Sequence, residues 1–121
     1  MNGIKYLLDT NIIIGMYQHN ETIFNLFLTK QVKISECAYS AITRIELLSF
    51  PSLSEFEKTA LTVLLDRMAY LSLSLMIENE AIAFRQRHNT KLPDSIIAAT
   101  ACCHHLELLT LDKKLAAKLN F

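Results

Sequence analysis

The sequence has very few of the residues that make tight turns and phosphate-binding loops. Its 121 residues include only two glycines, Gly3 and Gly15, and two prolines. So few turn formers argue against disorder and against an all-β fold with many tight turns. They also exclude the usual glycine-rich nucleotide-binding loops, because neither common pattern fits glycines at positions 3 and 15.

Long hydrophobic runs and paired cysteines are also absent. No apolar run approaches the roughly 20 residues of a membrane span. The N-terminus leads directly into the first predicted strand, which leaves no room for a signal peptide. Three cysteines, an odd number, fit a reducing compartment better than a disulfide framework. We therefore predict a cytoplasmic protein with no membrane partner.

The length predicts one domain spanning residues 1–121, which can bury about two-thirds of its unfolded surface without a structural metal. The run Cys102-Cys103-His104-His105 looks like a zinc site, but zinc ligands are usually separated by two or more residues. Only Cys102 and His105 could share a helix face. A helix end packed with small residues is the simpler interpretation.

Neither charge is in excess, since 12 basic and 12 acidic residues give a formal net charge of zero. A neutral chain does not by itself indicate a nucleic-acid partner. If four acidic residues occupy one metal pocket, bound divalent ions offset them. The rest of the chain then has an excess of four positive charges. The charge balance permits an RNA partner without indicating one.

Short apolar segments alternate with longer helical patterns along the whole chain. The predicted strands are 6–8, 37–42, 69–73 and 106–109. The predicted helices are 12–30 with a bend near Gly15 or at 18–20, then 43–50, 54–68, 75–88, 95–105 and 113–119. This alternation predicts a three-layer α/β/α sandwich with a central parallel sheet of about four to five strands.

Apolar spacing predicts which helix faces are buried. One predicted stripe is formed by Ile23, Phe24, Phe27 and Leu28. For the helix within 54–68, the predicted inner face consists of Phe56, Ala60, Val63 and Leu64. On the following helix, Ile77, Ala81 and Phe84 are predicted to face inward.

Asp9 directly follows the apolar run Tyr6-Leu7-Leu8. Burying an unpaired carboxylate costs several kcal/mol, so a charge at the end of a core strand usually has a cation. In open α/β sheets, ligands bind beyond the carboxyl ends of the strands. Asp9 could instead cap the following helix. On this residue alone, both interpretations stay open.

Four acidic residues interrupt or border apolar segments near predicted element boundaries: Asp9, Glu46, Asp94 and Asp112. Asp9 and Asp112 follow strands, Asp94 lies at a helix start, and Glu46 lies within the first turn or so of a helix. If these carboxylates converge, they repel one another unless a cation is bound. Their oxygen ligands suit Mg²⁺ or Mn²⁺, and such sites serve metal-assisted phosphoryl transfer.

Each of these acids also has a simpler interpretation. Asp94 can be a helix-start residue, Glu46 a solvated helix charge, and Asp112 a surface partner of the two lysines that follow it. The candidate RNA contacts are Arg44, Arg85, Arg87 and Lys91. For each of these four the simpler interpretation is an ordinary solvated charge.

Four segments together carry a family resemblance: L-L-D-T-N, S-A-I-T-R-I-E-L-L, K-L-P-D-S-I-I-A-A-T-A and L-L-T-L-D-K-K-L. In this order they resemble the successive motifs of PIN-domain ribonucleases and, more closely, of VapC-type toxins of bacterial toxin–antitoxin pairs. The resemblance covers nearly the whole chain. It implies that Asp9, Glu46 and Asp94 are the core metal ligands. Asp112 matches a fourth position, where the family has Asp or Asn.

The resemblance also implies roles for the polar neighbours of these acids. Thr10 or Asn11, Thr43 and Thr110 are expected to orient carboxylates or water. The implied function is a Mg²⁺- or Mn²⁺-dependent endoribonuclease that hydrolyses RNA phosphodiester bonds with metal-bound water and no covalent intermediate. The implied partners are RNA, a second copy in a homodimer, and a cognate antitoxin whose tail reaches the acidic pocket.

There are two alternatives to this function. A catalytically silent PIN-like module would bind RNA or protein and would have no reason to retain divalent-metal affinity. A phosphatase with an aspartate nucleophile fits less well, because such a strand usually carries a second Asp two residues on. This sequence has Asn11 at that position.

Overall fold

The centre of the molecule is a four-stranded parallel sheet. The computed structural model describes residues 3–119. Its strands are β1 (Tyr6–Leu8), β2 (Cys37–Ser40), β3 (Ala69–Leu71) and β4 (Glu107–Leu109). Their order is β3-β2-β1-β4, and each neighbouring pair is parallel. The predicted α/β class with a parallel central sheet is confirmed.

The strand order creates a crevice. From β1 the chain moves to one side of the sheet for β2 and β3, and returns to the other side for β4. Such a reversal in strand order leaves an opening beyond the carboxyl ends of the two strands, here β1 and β4. Asp9 follows β1 and Thr110 follows β4, so both lie at this opening.

Seven helices surround the sheet within the described part of the chain: α1 (Thr10–Tyr17), α2 (Glu21–Lys30), α3 (Ala41–Leu48), α4 (Glu55–Leu65), α5 (Leu75–His88), α6 (Leu92–Cys103) and α7 (Lys113–Leu119). A short 3-10 turn, Ile34–Glu36, precedes β2. None of the helices within residues 3–119 is long and apolar enough to cross a membrane.

Side chains alternate between the two faces of the sheet, and each face has its own core. On one face Leu8 packs with Ile12 and Ile13 of α1 and with residues of α2, α3 and α4. On the other face Leu7 packs with Ile97 of α6. Helices α5 and α7 then pack against α6. The result is the predicted three-layer arrangement.

Helix α6 is the most buried helix of the second face. Five consecutive residues, Ile97 to Ala101, are almost entirely shielded from solvent. Three of them are alanines, whose small side chains allow α5 to approach closely. This burial agrees with the predicted position of the helix between layers, and it sets the backbone position of Asp94 in the first turn.

The predicted boundaries differ from the structure at several points. The chain bends at 18–20 between α1 and α2, whereas Gly15 lies inside α1. A side chain at Gly15 would collide with Ile23 of α2, so glycine permits close packing of the two helices. Strand β2 is shorter than predicted because Ser40 caps α3, accepting a hydrogen bond from the backbone N–H of Thr43 at 3.2 Å.

The predicted inner face of α4 is only partly right, because Leu64 packs against the core whereas Phe56 and Val63 face solvent. Phe56 is 81% exposed and Val63 is 58% exposed, whereas Leu61 and Leu65 are buried. The helix carries two apolar stripes, and the sheet selects the one that contains the i, i+4 pair of leucines. The predicted stripe on α2 is also partly exposed, because Phe24 and Leu28 face solvent while Ile23 is buried.

Candidate active site

The four predicted acids come to the carboxyl edge of the sheet from four different elements. Asp9 follows β1 and is 7% exposed. Asp94 lies in the first turn of α6, and Asp112 lies between β4 and α7. Glu46 lies in the second turn of α3, deeper in that helix than predicted.

The carboxylates are close enough to affect one another. Burial raises the pKa of Asp9, and the charges of Glu46 and Asp112 raise it further, while hydrogen bonds from Thr110 and Thr10 oppose the rise. Burial also raises the pKa of Asp94, and the charges of Asp9 and Asp112 add to that rise. The structure therefore brings the acids into one electrostatic cluster.

Asp9 is held in place by hydrogen bonds at both carboxylate oxygens. Its Oδ1 accepts from the backbone N–H of Thr10 at 2.7 Å, so Asp9 also caps α1. Its Oδ2 accepts from the hydroxyl of Thr110 at 2.7 Å and from the amide of Asn11 at 3.4 Å. The two interpretations of Asp9 are thus compatible, since one oxygen caps the helix while the other faces the β1–β4 crevice.

Asn11 and Thr110 connect the two strands beside this crevice. The side-chain oxygen of Asn11 accepts from the backbone N–H of Leu111 at 3.2 Å. The hydroxyl oxygen of Thr110 accepts from the backbone N–H of Asp112 at 3.0 Å. A single hydroxyl thereby links Asp9 to the backbone of Asp112. Both polar neighbours contact the carboxylate of Asp9, and their expected orienting role stays a prediction.

The carboxylate of Glu46 lies at the end of a chain of hydrogen-bonded hydroxyl groups. The hydroxyl of Thr10 lies 2.6 Å from Oε1 of Glu46 and 3.0 Å from the hydroxyl of Thr43. Because Thr10 has one hydroxyl proton and a carboxylate only accepts, Thr10 donates to Glu46 and accepts from Thr43. Thr43 is completely buried, and its hydroxyl lies 3.4 Å from that of Ser40. Sequence reasoning missed Ser40, whose signal was its position before a predicted helix.

Asp94 and Asp112 are held differently from Asp9. Within residues 3–119 the carboxylate of Asp94 has no hydrogen-bond or ion-pair partner, although the charges of Lys91 and Lys118 oppose the rise in its pKa. Oδ1 of Asp112 accepts from the backbone N–H groups of Lys114 and Leu115 at 3.0 and 3.1 Å. Asp112 therefore caps α7 through backbone contacts and makes no ion pair with the lysines that follow it in the described chain.

The donor set fits a hard divalent cation, since Asp9, Glu46, Asp94 and Asp112 offer only carboxylate oxygens. A cation also relieves the repulsion that contributes to the raised pKa values of Asp9 and Asp94. As the side chains stand, no three acidic, histidine or cysteine residues within 3–119 converge closely enough to hold one ion. Side-chain rotation is therefore needed, and Asp94 has no hydrogen bond in the described chain to break.

The four candidate RNA contacts divide into two pairs. Arg85 donates from Nε to the backbone carbonyl of Thr90 at 3.0 Å, and Arg87 lies 3.5 Å from the carboxylate of Glu80. These two arginines have structural partners. Arg44 and Lys91 are exposed and have no side-chain hydrogen bond or ion pair within the described residues. Lys91 lines a groove beside Asp94.

Sequence reasoning also missed two lysines at this groove. Lys114 and Lys118 of α7 line it together with Lys91, Asp94 and Asp112. The pair is spaced i, i+4, which places both side chains on one face of α7. That spacing was a visible signal, but the sequence did not show that this face borders the acids.

The fold and this acidic edge define a PIN domain, and the chain belongs to the PIN domain family, which it matches over residues 6–119. The chain is similar to a toxin–antitoxin complex from Klebsiella pneumoniae, with 28% identity and a TM-score of 0.83, over 96% of this chain and 93% of that chain. No curated protein matches the sequence.

Two further solved structures have the same fold. DNA-bound VapBC from Salmonella typhimurium is 21% identical with a TM-score of 0.75, over 97% of this chain and 93% of that chain. FitAcB from Neisseria gonorrhoeae is 22% identical with a TM-score of 0.72, over 95% of this chain and 93% of that chain. The predicted resemblance to PIN domains and to VapC-type toxins is confirmed.

Proposed function

We propose that this protein is a Mg²⁺- or Mn²⁺-dependent endoribonuclease and the toxin of a toxin–antitoxin pair. The observation that carries this proposal is the carboxyl edge of the sheet. There Asp9 lies within electrostatic range of Glu46, Asp94 and Asp112, and none of the four takes part in an ion pair of residues 3–119. Carboxylates that are not engaged in salt bridges are the oxygen-ligand set that phosphoryl-transfer sites use to hold divalent metals.

In this proposal the four acids hold the metal and their neighbours fix the carboxylates. When bound, the divalent ion supplies Lewis-acid chemistry and an activated water. Thr110 and Asn11 keep Oδ2 of Asp9 in one position. Thr10 orients Glu46, with Thr43 behind it. The carboxylate of Asp94, which has no hydrogen bond within residues 3–119, can rotate toward the ion.

The partners follow from the relatives and from the surface. The Klebsiella pneumoniae structure is a toxin–antitoxin complex, and we propose a cognate antitoxin for this chain as well. Phe24 and Leu28 on α2 are more than 60% exposed, as are Leu75 and Met76 on α5. Clustered apolar side chains favour burial by partners. We propose that these surfaces bind the antitoxin and a second copy in a homodimer, and that the single-domain protein acts in the cytoplasm.

Titration calorimetry with Mn²⁺ tests the metal site directly. Wild-type protein should bind Mn²⁺, and Asp94→Asn should bind it at least about tenfold more weakly, a difference of about 1.4 kcal/mol. Glu78→Gln, which changes an exposed acid on α5, is the matched control and should bind normally. A wild-type protein without divalent-metal affinity would contradict the proposed centre.

Cleavage of a mixed pool of labelled RNAs tests the activity. Cutting should require Mg²⁺ or Mn²⁺ and should stop with EDTA. Metal binding without cleavage of any RNA would favour a catalytically silent module. Expression in a bacterial host should slow growth unless Asp9 is replaced by Asn, and co-expression of a small neighbouring DNA-binding protein should restore growth. Normal growth with high levels of soluble wild-type protein would contradict the toxin role.

A further inference from the structure

A groove of about 320 Å³ opens beside the acidic cluster. It lies between the loop that joins α5 to α6 and the helix α7. Lys91 lines it from the loop, and Lys114 and Lys118 line it from α7. Asp94 and Asp112 form its border with the acidic cluster. The groove and the proposed metal site therefore share two residues and are continuous.

The groove has more positive than negative charge. Three ammonium groups face two carboxylates, and both carboxylates are among the proposed metal ligands. A divalent ion held there leaves the lysines without competing negative charge. The electrostatic potential then favours an anion that extends from the metal into the groove.

One of the lysines is positioned by the fold. Nζ of Lys118 lies 3.5 Å from the hydroxyl of Thr90, which is only 6% exposed. The carbonyl of Thr90 accepts from Nε of Arg85 at 3.0 Å and lies 3.4 Å from the hydroxyl of Ser95. These contacts fix the loop to α5 and α6. The side chain of Lys118 therefore extends from α7 across the groove, and its ammonium group lies beside Thr90 of the loop.

We propose that Lys91, Lys114 and Lys118 bind the backbone phosphates of single-stranded RNA next to the phosphate at the acidic cluster. This inference rests on the proposed function, since it takes RNA as the polymer that enters the site. The groove begins at Asp94 and Asp112, so it gives a strand whose phosphodiester lies at the acids a positively charged path along the surface. Contacts to phosphates fix the register of the strand and do not read its sequence.

Fluorescence anisotropy with a labelled single-stranded RNA in Ca²⁺ buffer tests this site without requiring cleavage. The double variant Lys114→Ala/Lys118→Ala should bind at least about tenfold more weakly than wild type at low salt. Each phosphate contact to a single strand contributes about 0.7 to the slope of log affinity against log salt. The variant should therefore lose about 1.4 from that slope.

The matched control removes the same charge elsewhere. Lys113→Ala/Lys58→Ala changes one exposed lysine on α7 that does not line the groove and one on α4. This control should retain the wild-type slope, and Lys114→Arg/Lys118→Arg should restore affinity. Equal losses in the two alanine variants, or wild-type binding by the groove variant, would overturn the inference.

The two proposals fail in different ways. If the protein binds RNA through the groove but cuts none with Mg²⁺ or Mn²⁺, the phosphate site stands and the nuclease proposal fails. If wild type cuts RNA, the groove variant should raise KM at least about tenfold with kcat within twofold. A cutting enzyme whose KM is unchanged in the groove variant would overturn the phosphate site alone.

Discussion

The acidic residues at the two edges of the sheet differ in whether they form ion pairs. At the amino edge, Glu36 lies 3.1 Å from the ammonium group of Lys5, and Glu107 lies 2.8 Å from that of Lys30. At the carboxyl edge, Asp9 and Asp94 have no ion-pair partner within residues 3–119. One edge pairs its carboxylates with lysines in salt bridges, whereas at the other edge lysines lie near Asp94 without forming an ion pair with it in the described chain.

The pKa values follow the same division. The backbone N–H of Lys33 and the ammonium group of Lys5 lower the pKa of Glu36. Burial and neighbouring acids raise the pKa values of Asp9 and Asp94. Ionised carboxylates thus stabilise the fold at the amino edge and destabilise it at the carboxyl edge. Such local conflicts in a fold are expected at functional sites, because function rather than stability maintains them.

The largest expected effect is the loss of RNA cleavage in Asp9→Asn and in Asp94→Asn. Each change should lower kcat/KM by at least about 1,000-fold, or about 4 kcal/mol of transition-state stabilisation. The fold should remain, because each change keeps the side-chain volume and removes a repelled charge. In Asp9→Asn the remaining oxygen can still accept from the backbone N–H of Thr10, and the hydroxyl of Thr110 can turn to accept from the new amide. Initial rates on one labelled RNA, together with circular dichroism, provide the measurement.

The amino edge supplies the matched controls for this prediction. Glu36→Gln and Glu107→Gln each remove an acidic charge at the opposite ends of the strands. Both variants should cleave RNA within about twofold of wild type. If Glu36→Gln were as inactive as Asp94→Asn, the loss of cleavage would not be specific to the acidic residues of the carboxyl edge. Near wild-type cleavage by either aspartate variant would remove that residue from the centre.

A smaller effect is expected from Asp112→Asn. The side chain of Asp112 caps α7 through a single oxygen, Oδ1, and Asn is an equally good cap. The resemblance to PIN domains implies that either Asp or Asn serves at this position. Cleavage should therefore fall by tenfold or less, about 1.4 kcal/mol. A loss as large as that in Asp9→Asn, measured on the same RNA, would show that Asp112 is a core ligand.

Much of the fold was predictable because it depends on local patterns. The apolar run before Asp9 and the alternation of strands with helices were sufficient for a parallel sheet. The buried face of α4 was not predictable, since Val63 and Leu61 are both apolar and only the position of the sheet distinguishes them. The exposure of Phe56 and Phe24 was not predictable for the same reason.

The acids of the candidate site were visible as charges at element boundaries, but their supporting contacts were not. Thr10 meets Glu46 across 36 positions in the sequence, and Lys118 meets Thr90 across 28. No local pattern relates such pairs. Arg85 is exposed, and its hydrogen bond to the backbone carbonyl of Thr90 has no signature in the sequence.

The smallest expected effect is a pH-dependent difference in stability between the edges, measured by thermal unfolding without metal. The folded-state pKa of Asp94 is raised, so its charged form destabilises the fold at neutral pH, and this penalty disappears as pH falls through that pKa. Asp94→Asn should therefore raise the Tm at pH 7, by less than the roughly 4 °C that about 1 kcal/mol produces in a domain of this size. The difference should shrink toward pH 4.

Glu36→Gln should show the opposite sign. The folded-state pKa of Glu36 is lowered, so its charged form stabilises the fold at neutral pH, and this contribution is lost as pH falls through the folded pKa. The variant should therefore have a lower Tm than wild type at pH 7 and approach it in acid. Tm differences of the same sign for both variants would contradict the division between an edge whose carboxylates form salt bridges and an edge whose carboxylates form none in the described chain. Adding Mn²⁺ at pH 7 should stabilise wild type and Glu36→Gln alike, and stabilise Asp94→Asn least, because only the last lacks a proposed ligand.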